Sequence, residues 1–459
     1  MPQKNAGASA LRLSQLLCLL TVCLACIFAS PSFAQGCPPQ NLTPSCVFQS
    51  SPGHPYKLSY LVPPASASSH GTNLKIVAMG DSVAWGDGDS QPNKIVTKVA
   101  QALANDAGRT VEVDSYAHSG ARLRCYKSSQ ESQNPEFPVS GTTPLGDLDA
   151  EGPTTAEQAV CAASADSDAD YVLLDGCINE VGATNIALPP IFLFGHHTPK
   201  DIRAAVFNYC SANMRDMLKD VATRFPHAHI LVMNYYRIVS KNSKPKPLLK
   251  KNQQLRDDPS LQEEKELKRA VQIEIEEEQL QAGKTAPRTA FSDNALSLRV
   301  QSWRANATEF LGDVTSCFQW AVASASANDT DVIKPRPAAH SGAPFVPVCP
   351  AYTPRPGQPS LTPRISLIVF PDNDDYAYGA PKSKLWLLAI KLPSGKVENP
   401  DELYTERSQE CDAHPDRGDT ACKVNPLAHP NVQGAACFSQ SIVDTIKGLP
   451  SSPTECPAP

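Results

Sequence analysis

The sequence has no excess of positive charge: its 459 residues carry 41 Lys and Arg against 47 Asp and Glu, a formal net charge of −6. No basic face is evident to neutralise a phosphate backbone, which argues against nucleic acid as a partner. No internal repeat is visible either. The chain also lacks an apolar run of full spanning length. Leu13 to Ala29 is slightly short and ends in Pro31 rather than in a basic stop signal.

That run has instead the pattern of an export signal. Lys4 and Arg12 form a basic n-region, Leu13 to Ala29 an apolar h-region, and Ser32-Phe33-Ala34 places small residues where a signal peptidase reads. The expectation is a signal peptide over 1–34, cleaved after Ala34, and a secreted or periplasmic protein. An uncleaved anchor is the alternative, and Leu24-Ala25-Cys26 fits a lipidation site poorly. Twelve of the 15 cysteines lie beyond the leader. An even number in an oxidising compartment favours disulfides over metal thiolates. Cys37–Cys46 and Cys411–Cys422 are candidate local bridges, and Cys177 is expected to stay free because it falls in a buried site.

Residues 35–73 are rich in Pro and Ser and read as an irregular lead-in. Apolar runs at Leu74–Met79, Val111–Val113, Ala169–Leu174, His229–Tyr236 and Arg364–Phe370 predict five strands. Helical patterns fall between them, from Pro92 to Gly108, over 154–163 and over 201–223, and a last one spans Ala435 to Leu449. Alternating strands and helices imply βαβ units and a mostly parallel sheet with helices on both faces. The alternation breaks at 240–363, where Ser260 and Glu263 form a capping box for a charged helix ending near Gly283. A second helical stretch covers about 291–325. The whole of 240–363 reads as a mainly helical insertion into one domain, 74–449, with a tail at 450–459.

Ligands of a doubly wound sheet sit beyond the carboxyl ends of its strands. Three motifs fall there. Gly80-Asp81-Ser82 turns the first strand into a helix, exposing a hydroxyl beside unpaired backbone N–H groups that can stabilise an oxyanion. Ser119-Gly120 follows the second strand, where a glycine N–H can approach a substrate closely. Asn179 follows the third and can aim an amide at the same point. Each alone has a blander reading: a helix cap, a loop glycine, a turn asparagine. A base is needed for Ser82, and His429 in His429-Pro430-Asn431-Val432-Gln433-Gly434, just before the last helix, is the candidate, with His414 its rival. Asp81 is expected to hold its turn rather than act as the triad acid. Cys411, His414, Cys422 and His429 could be drawn as a zinc site, but irregular spacing and an exported context favour a disulfide and a catalytic histidine.

Taken together, these four blocks in this order resemble the SGNH (GDSL-like) hydrolase superfamily of esterases and lipases. The resemblance covers about 74–236 and 364–447. It implies a flavodoxin-like three-layer α/β/α sandwich with a mostly parallel five-stranded sheet. It implies Ser82 as nucleophile and His429 as base, with an oxyanion hole from the Ser82 and Gly120 N–H groups and the Asn179 amide. No metal or organic cofactor is implied. The sequence departs from the family at Cys177 and Glu180, where a Gly and an Asp are usual, and at Pro426, where the family often has an Asp. A backbone carbonyl at Pro426 can orient the imidazole in a Ser–His dyad, or Asp412, Asp416 or Asp419 folds back to do so. The expected substrates are lipid or small acyl esters, with peripheral contact to a membrane or polysaccharide. Two alternatives stay open. One is a carbohydrate acetyl esterase using Trp303, Trp320 and Tyr352 as a glycan surface, the other a non-catalytic binding protein on a hydrolase fold.

Overall fold

The computed structural model describes residues 57–66, 71–86, 88–124, 153–183, 186, 198–243, 291–328 (side chains from 301), 349–352, 364–377, 380, 382–385, 390–391, 397–398 and 428–449. The elements that build the sheet are β1 (Leu58–Val62), β2 (Leu74–Met79), β3 (Val111–Ser115), β4 (Tyr171–Leu174), β5 (His229–Met233) and β6 (Ile365–Ile368). The helices are α1 (Ser82–Trp85), α2 (Ile95–Ala107), α3 (Thr155–Asp166), α4 (Ile178–Val181), α5 (Pro199–Ala205), α6 (Ala212–Arg224), α7 (Phe291–Ser326) and α8 (Val432–Ile446). A wide π turn, Val206–Ser211, joins α5 to α6.

The six strands form one mixed sheet in the order β1-β3-β2-β4-β5-β6. The strands from β2 to β6 pair in parallel, whereas β1 runs antiparallel along the edge of β3. The expected five-stranded sheet is thus corrected to six, because the lead-in holds a strand. Leu58-Ser59-Tyr60 alternates as a half-buried edge strand does, a signal masked by the Pro-rich stretch around it. The central strands are apolar on both faces, as a sheet covered on both sides requires: Ile76 to Met79 and Val172 to Leu174 are buried without a break. Helices pack in two groups, α2 with α8, and α3 with α6 and α7. The strand order reverses direction at β2, whose neighbours β3 and β4 both follow it in the chain. The carboxyl end of that strand is the place where an open α/β sheet leaves a crevice for a ligand.

The described part of 240–363, the segment read as an insertion, includes α7, where the second helical stretch was expected at about 291–325. Helix α7 lies in the chain between the parallel strands β5 and β6 and packs on α5 and α6. Trp303, Phe310, Phe318 and Ala321 on it are all inside the core. It is the crossover helix that a parallel strand pair needs. The expected charged helix of 260–283 and the bridges Cys37–Cys46 and Cys411–Cys422 lie outside the described residues. Disulfides join Cys177 to Cys210 and Cys317 to Cys349. Cys161 and Cys437 are disulfide-bonded as well. Cys177 is therefore not free. Its burial, the reason for expecting a free thiol, is shared by Cys210 directly opposite. No helix among the described residues is long and apolar enough to cross a membrane.

Candidate active site

The end of β2 is clamped before it turns. The Gly80 N–H donates to the Gln158 side chain at 2.7 Å, and the Gln158 amide donates back to the Gly80 carbonyl at 3.1 Å. Gly80 has a φ of 135°, and an added Cβ would overlap the Asp175 carboxylate, so the position admits only glycine. The chain then enters α1, whose first N–H groups have no partners of their own kind. Two are captured by acids: Val83 donates to Asp81 Oδ1 at 2.9 Å and Ala84 to Asp175 Oδ2 at 2.9 Å. The Trp85 N–H returns to the Asp81 carbonyl. The Ser82 N–H finds no acceptor among the described residues. The donor left over is the one beside the hydroxyl.

The Ser82 hydroxyl lies 2.6 Å from His429 Nε2, across 347 residues of sequence. In the tautomer with a proton on Nδ1, the hydroxyl donates to Nε2, the arrangement of a nucleophile and its base. His429 is placed by its neighbours rather than by its own contacts. Ala428 has a φ of 67°, and its carbonyl accepts from the Tyr236 hydroxyl at 3.0 Å. Pro430 bridges to Leu385, and the Asn431 N–H donates to the Lys384 carbonyl at 2.8 Å. Asn431 then caps α8 by accepting from the Gly434 N–H at 2.9 Å. Gly434 lies so close to the Lys384 carbonyl that a Cβ there would overlap it. The His-Pro-Asn-x-x-Gly pattern is thus a way of bolting one histidine to the start of a helix. His429 Nδ1 is buried and has no hydrogen-bond partner among the described residues. Pro426, Asp412, Asp416 and Asp419, and the rival His414, lie outside them.

The two other expected oxyanion donors lie on elements tied to the Ser82 turn. Gly120, half-buried with a φ of 80°, ends a loop that the His118 N–H ties to the Gly80 carbonyl at 3.1 Å. The His118 ring stacks on Trp85 with centroids 5.7 Å apart, holding that loop against α1. The Gly120 N–H has no acceptor among the described residues. Asn179 donates one amide proton to the Ala121 carbonyl at 2.7 Å, which leaves its second available and fixes the direction in which it points. Next to it, Glu180 accepts from the Leu123 N–H at 2.5 Å. Adjacent side chains of α4 thus hold the Gly120 loop from two sides.

Sequence reasoning missed the tyrosines that lock these parts together. Successive residues just beyond β5, Tyr235 and Tyr236, face different elements, Tyr235 packing on Phe310 and Phe318 of α7 and Tyr236 on Phe438 of α8. The Tyr235 hydroxyl donates to Asp81 Oδ2 at 2.5 Å and accepts from the Ile178 N–H at 3.0 Å, joining the nucleophile turn to α4. Tyr236 holds the histidine loop. Their signal was the chemistry of a tyrosine just past a buried strand, which needs a partner for its hydroxyl. Burial pushes both hydroxyls well above the usual phenol range, reinforced by the negative charge of Asp81 and Asp175.

The electrostatics follow from burial. Asp81 is raised by desolvation, opposed by the Tyr235 and Val83 hydrogen bonds and by His429. Asp175 is raised well above the carboxylate range by desolvation and by Asp81 beside it. Glu180 is pushed up to about 7, mainly by burial, while the Leu123 N–H pulls the other way. None of these acids touches His429 Nδ1.

No family model matches the sequence, and no curated protein sequence does. Among solved structures, the chain is similar to the extracellular lipase of Streptomyces rimosus at 12% identity, with 81% of this chain and 99% of that one covered and a TM-score of 0.34. It is also similar to phospholipase A1 of Streptomyces albidoflavus at 18% identity, covering 38% of this chain and 64% of that one, with a TM-score of 0.23. A third is a carbohydrate esterase family 2 enzyme of Corynascus thermopiles with a carbohydrate-binding domain, at 15% identity, covering 38% and 48%, with a TM-score of 0.21.

Proposed function

We propose that this chain is an exported serine ester hydrolase of the SGNH (GDSL-like) type, acting on lipid or small acyl esters. The observation that carries this reading is the 2.6 Å approach of His429 Nε2 to the Ser82 hydroxyl at the carboxyl end of β2. Ser82 Oγ attacks the ester carbonyl as its proton passes to Nε2. The oxyanion that forms accepts hydrogen bonds from the Ser82 and Gly120 N–H groups and the free amide proton of Asn179. Collapse expels the alcohol, which takes the proton from the imidazolium and leaves an acyl ester on Ser82. Water, deprotonated by His429, then releases the acid and restores the hydroxyl.

The acetyl esterase alternative would use the same site, with half-buried Tyr352 as the one of its three aromatic residues not packed inside. Trp303 is wholly buried and Trp320 is packed inside the molecule under Arg215, so neither offers a face to a sugar. The non-catalytic alternative is opposed by the serine–histidine contact itself. The test is labelling with a fluorophosphonate probe, with Ser82→Ala as control. Wild type should label and hydrolyse p-nitrophenyl esters, with the rate across a chain-length series reporting acyl preference. A folded wild type that fails to label, or a Ser82→Ala variant that keeps its activity, overturns the reading.

A further inference from the structure

We propose that the Cys177–Cys210 disulfide is a positioning element of the oxyanion hole, holding residue 177 in a backbone conformation that only glycine adopts unaided. The inference rests on the reading of Asn179 as an oxyanion donor. Cys177 has a φ of 117° and a ψ of −34°, one of three positive-φ residues other than glycine among the described residues. A side chain with a Cβ is strained in that region and stays there only when its surroundings compel it. The compelling feature is a covalent one. The side chain is bonded to Cys210 in the π turn Val206–Ser211, against which α4 packs, and both cysteines are fully buried.

Residue 177 is the last before α4, so its dihedral angles set the direction in which that helix starts. Helix α4 is a single turn, Ile178–Val181, too short to hold an orientation by its own hydrogen bonds. The groups it aims are those of the site: the Ile178 N–H toward Tyr235, the Asn179 amide toward Ala121 and Glu180 toward Leu123. A residue 177 released from the disulfide relaxes toward negative φ and swings Asn179 away from the carbonyl it must polarise. Reduction by a dithiol accomplishes this with balanced chemistry. The reductant yields two electrons and two protons, becomes a disulfide, and leaves thiols at 177 and 210. Ester hydrolysis then depends on this one bond while the nucleophile and base stay in place.

The experiment compares wild type with two variants that both lack the bond, Cys177→Gly/Cys210→Ser and Cys177→Ala/Cys210→Ser, by kcat and KM on a p-nitrophenyl ester and by circular dichroism. The alanine variant should lose kcat by about tenfold or more at nearly constant KM, approaching the roughly 10²–10³-fold loss expected when one oxyanion donor is removed. The glycine variant should regain kcat to within about threefold, because glycine takes positive φ freely. Equal kcat in the two variants overturns the proposal, whether both are fast or both slow. Should neither fold, wild type is titrated with dithiothreitol while mass spectrometry follows the thiols at 177 and 210. Activity that survives opening of that bond overturns the proposal, and activity lost in step with it supports it. A wild type inert to fluorophosphonate instead overturns the ester hydrolase reading, so the two failures are distinct.

Discussion

Asn179 gives the sharpest single-residue expectation. Its amide is held by one hydrogen bond to Ala121, and its second proton is the one the proposed mechanism gives to the oxyanion. Asn179→Ala should therefore lower kcat by about 10²–10³-fold with KM almost unchanged, measured by steady-state kinetics on a p-nitrophenyl ester. Tyr235→Phe makes the opposite kind of change. It leaves Asp81 Oδ2 and the Ile178 N–H without their shared hydroxyl inside the core. A loss of about 1–3 kcal/mol is expected in denaturant unfolding. The contrast between these residues explains what the sequence could and could not reveal. Ser82, Gly120, Asn179 and His429 each sit in a short local pattern after a strand or before a helix, so they are readable one block at a time. The partners of Tyr235 and Tyr236 lie 154 and 192 residues away, and no local pattern encodes such a pairing. Cys177 was misread for the same reason, since its partner is 33 positions downstream and is identified only by the packing of α4 on the π turn.

Among the elements, α8 ties fold to chemistry most directly. Its cap, Asn431, and its close-packed Gly434 fix the turn that carries His429. Gly434→Ala should push the helix start off the Lys384 carbonyl, lowering stability by about 1–3 kcal/mol and kcat with it. Thermal unfolding and kinetics on the same sample test this. A variant that loses stability but keeps full kcat would show that the histidine is held independently of the helix. Most strands of the central sheet were legible because short, mostly apolar stretches in an alternating α/β sequence have few other uses, whereas β3 showed only Val111 and Val113 around Glu112. One strand was missed and one helix was legible. Strand β1 is an edge strand with Leu61 exposed, so its apolar signal is diluted. Helix α7 was legible over about 291–325 from its apolar positions, of which Trp303, Phe310, Phe318 and Trp320 lie inside.

For the whole molecule, buried acids predict how stability varies with pH. Glu180 ionises near 4.5 in an unfolded chain but near 7 in place. Its contribution is fully present below the lower value and is lost as pH rises through the upper one, a change of roughly 3 kcal/mol. Asp313, raised to about 6 by burial, acts in the same direction. Asp166 opposes them at the acid end. Burial alone would raise it, but the Tyr116 hydroxyl, Lys75 and Lys57 bring it to about 2, so its contribution is lost as pH falls from 3.8 through that value. The thermal midpoint should therefore peak between about pH 4 and 5 and decline toward neutrality. Glu180→Gln should make that decline shallower, and an unchanged slope would exclude Glu180 as its source. The 347 residues between Ser82 and His429 also order events in time. A ribosome that has completed strands β2 to β5 has made Ser82 but not His429. Until α8 is synthesised and docks, Ser82 has no His429 beside it, so the proposed ester hydrolase would switch on only near the last step of synthesis.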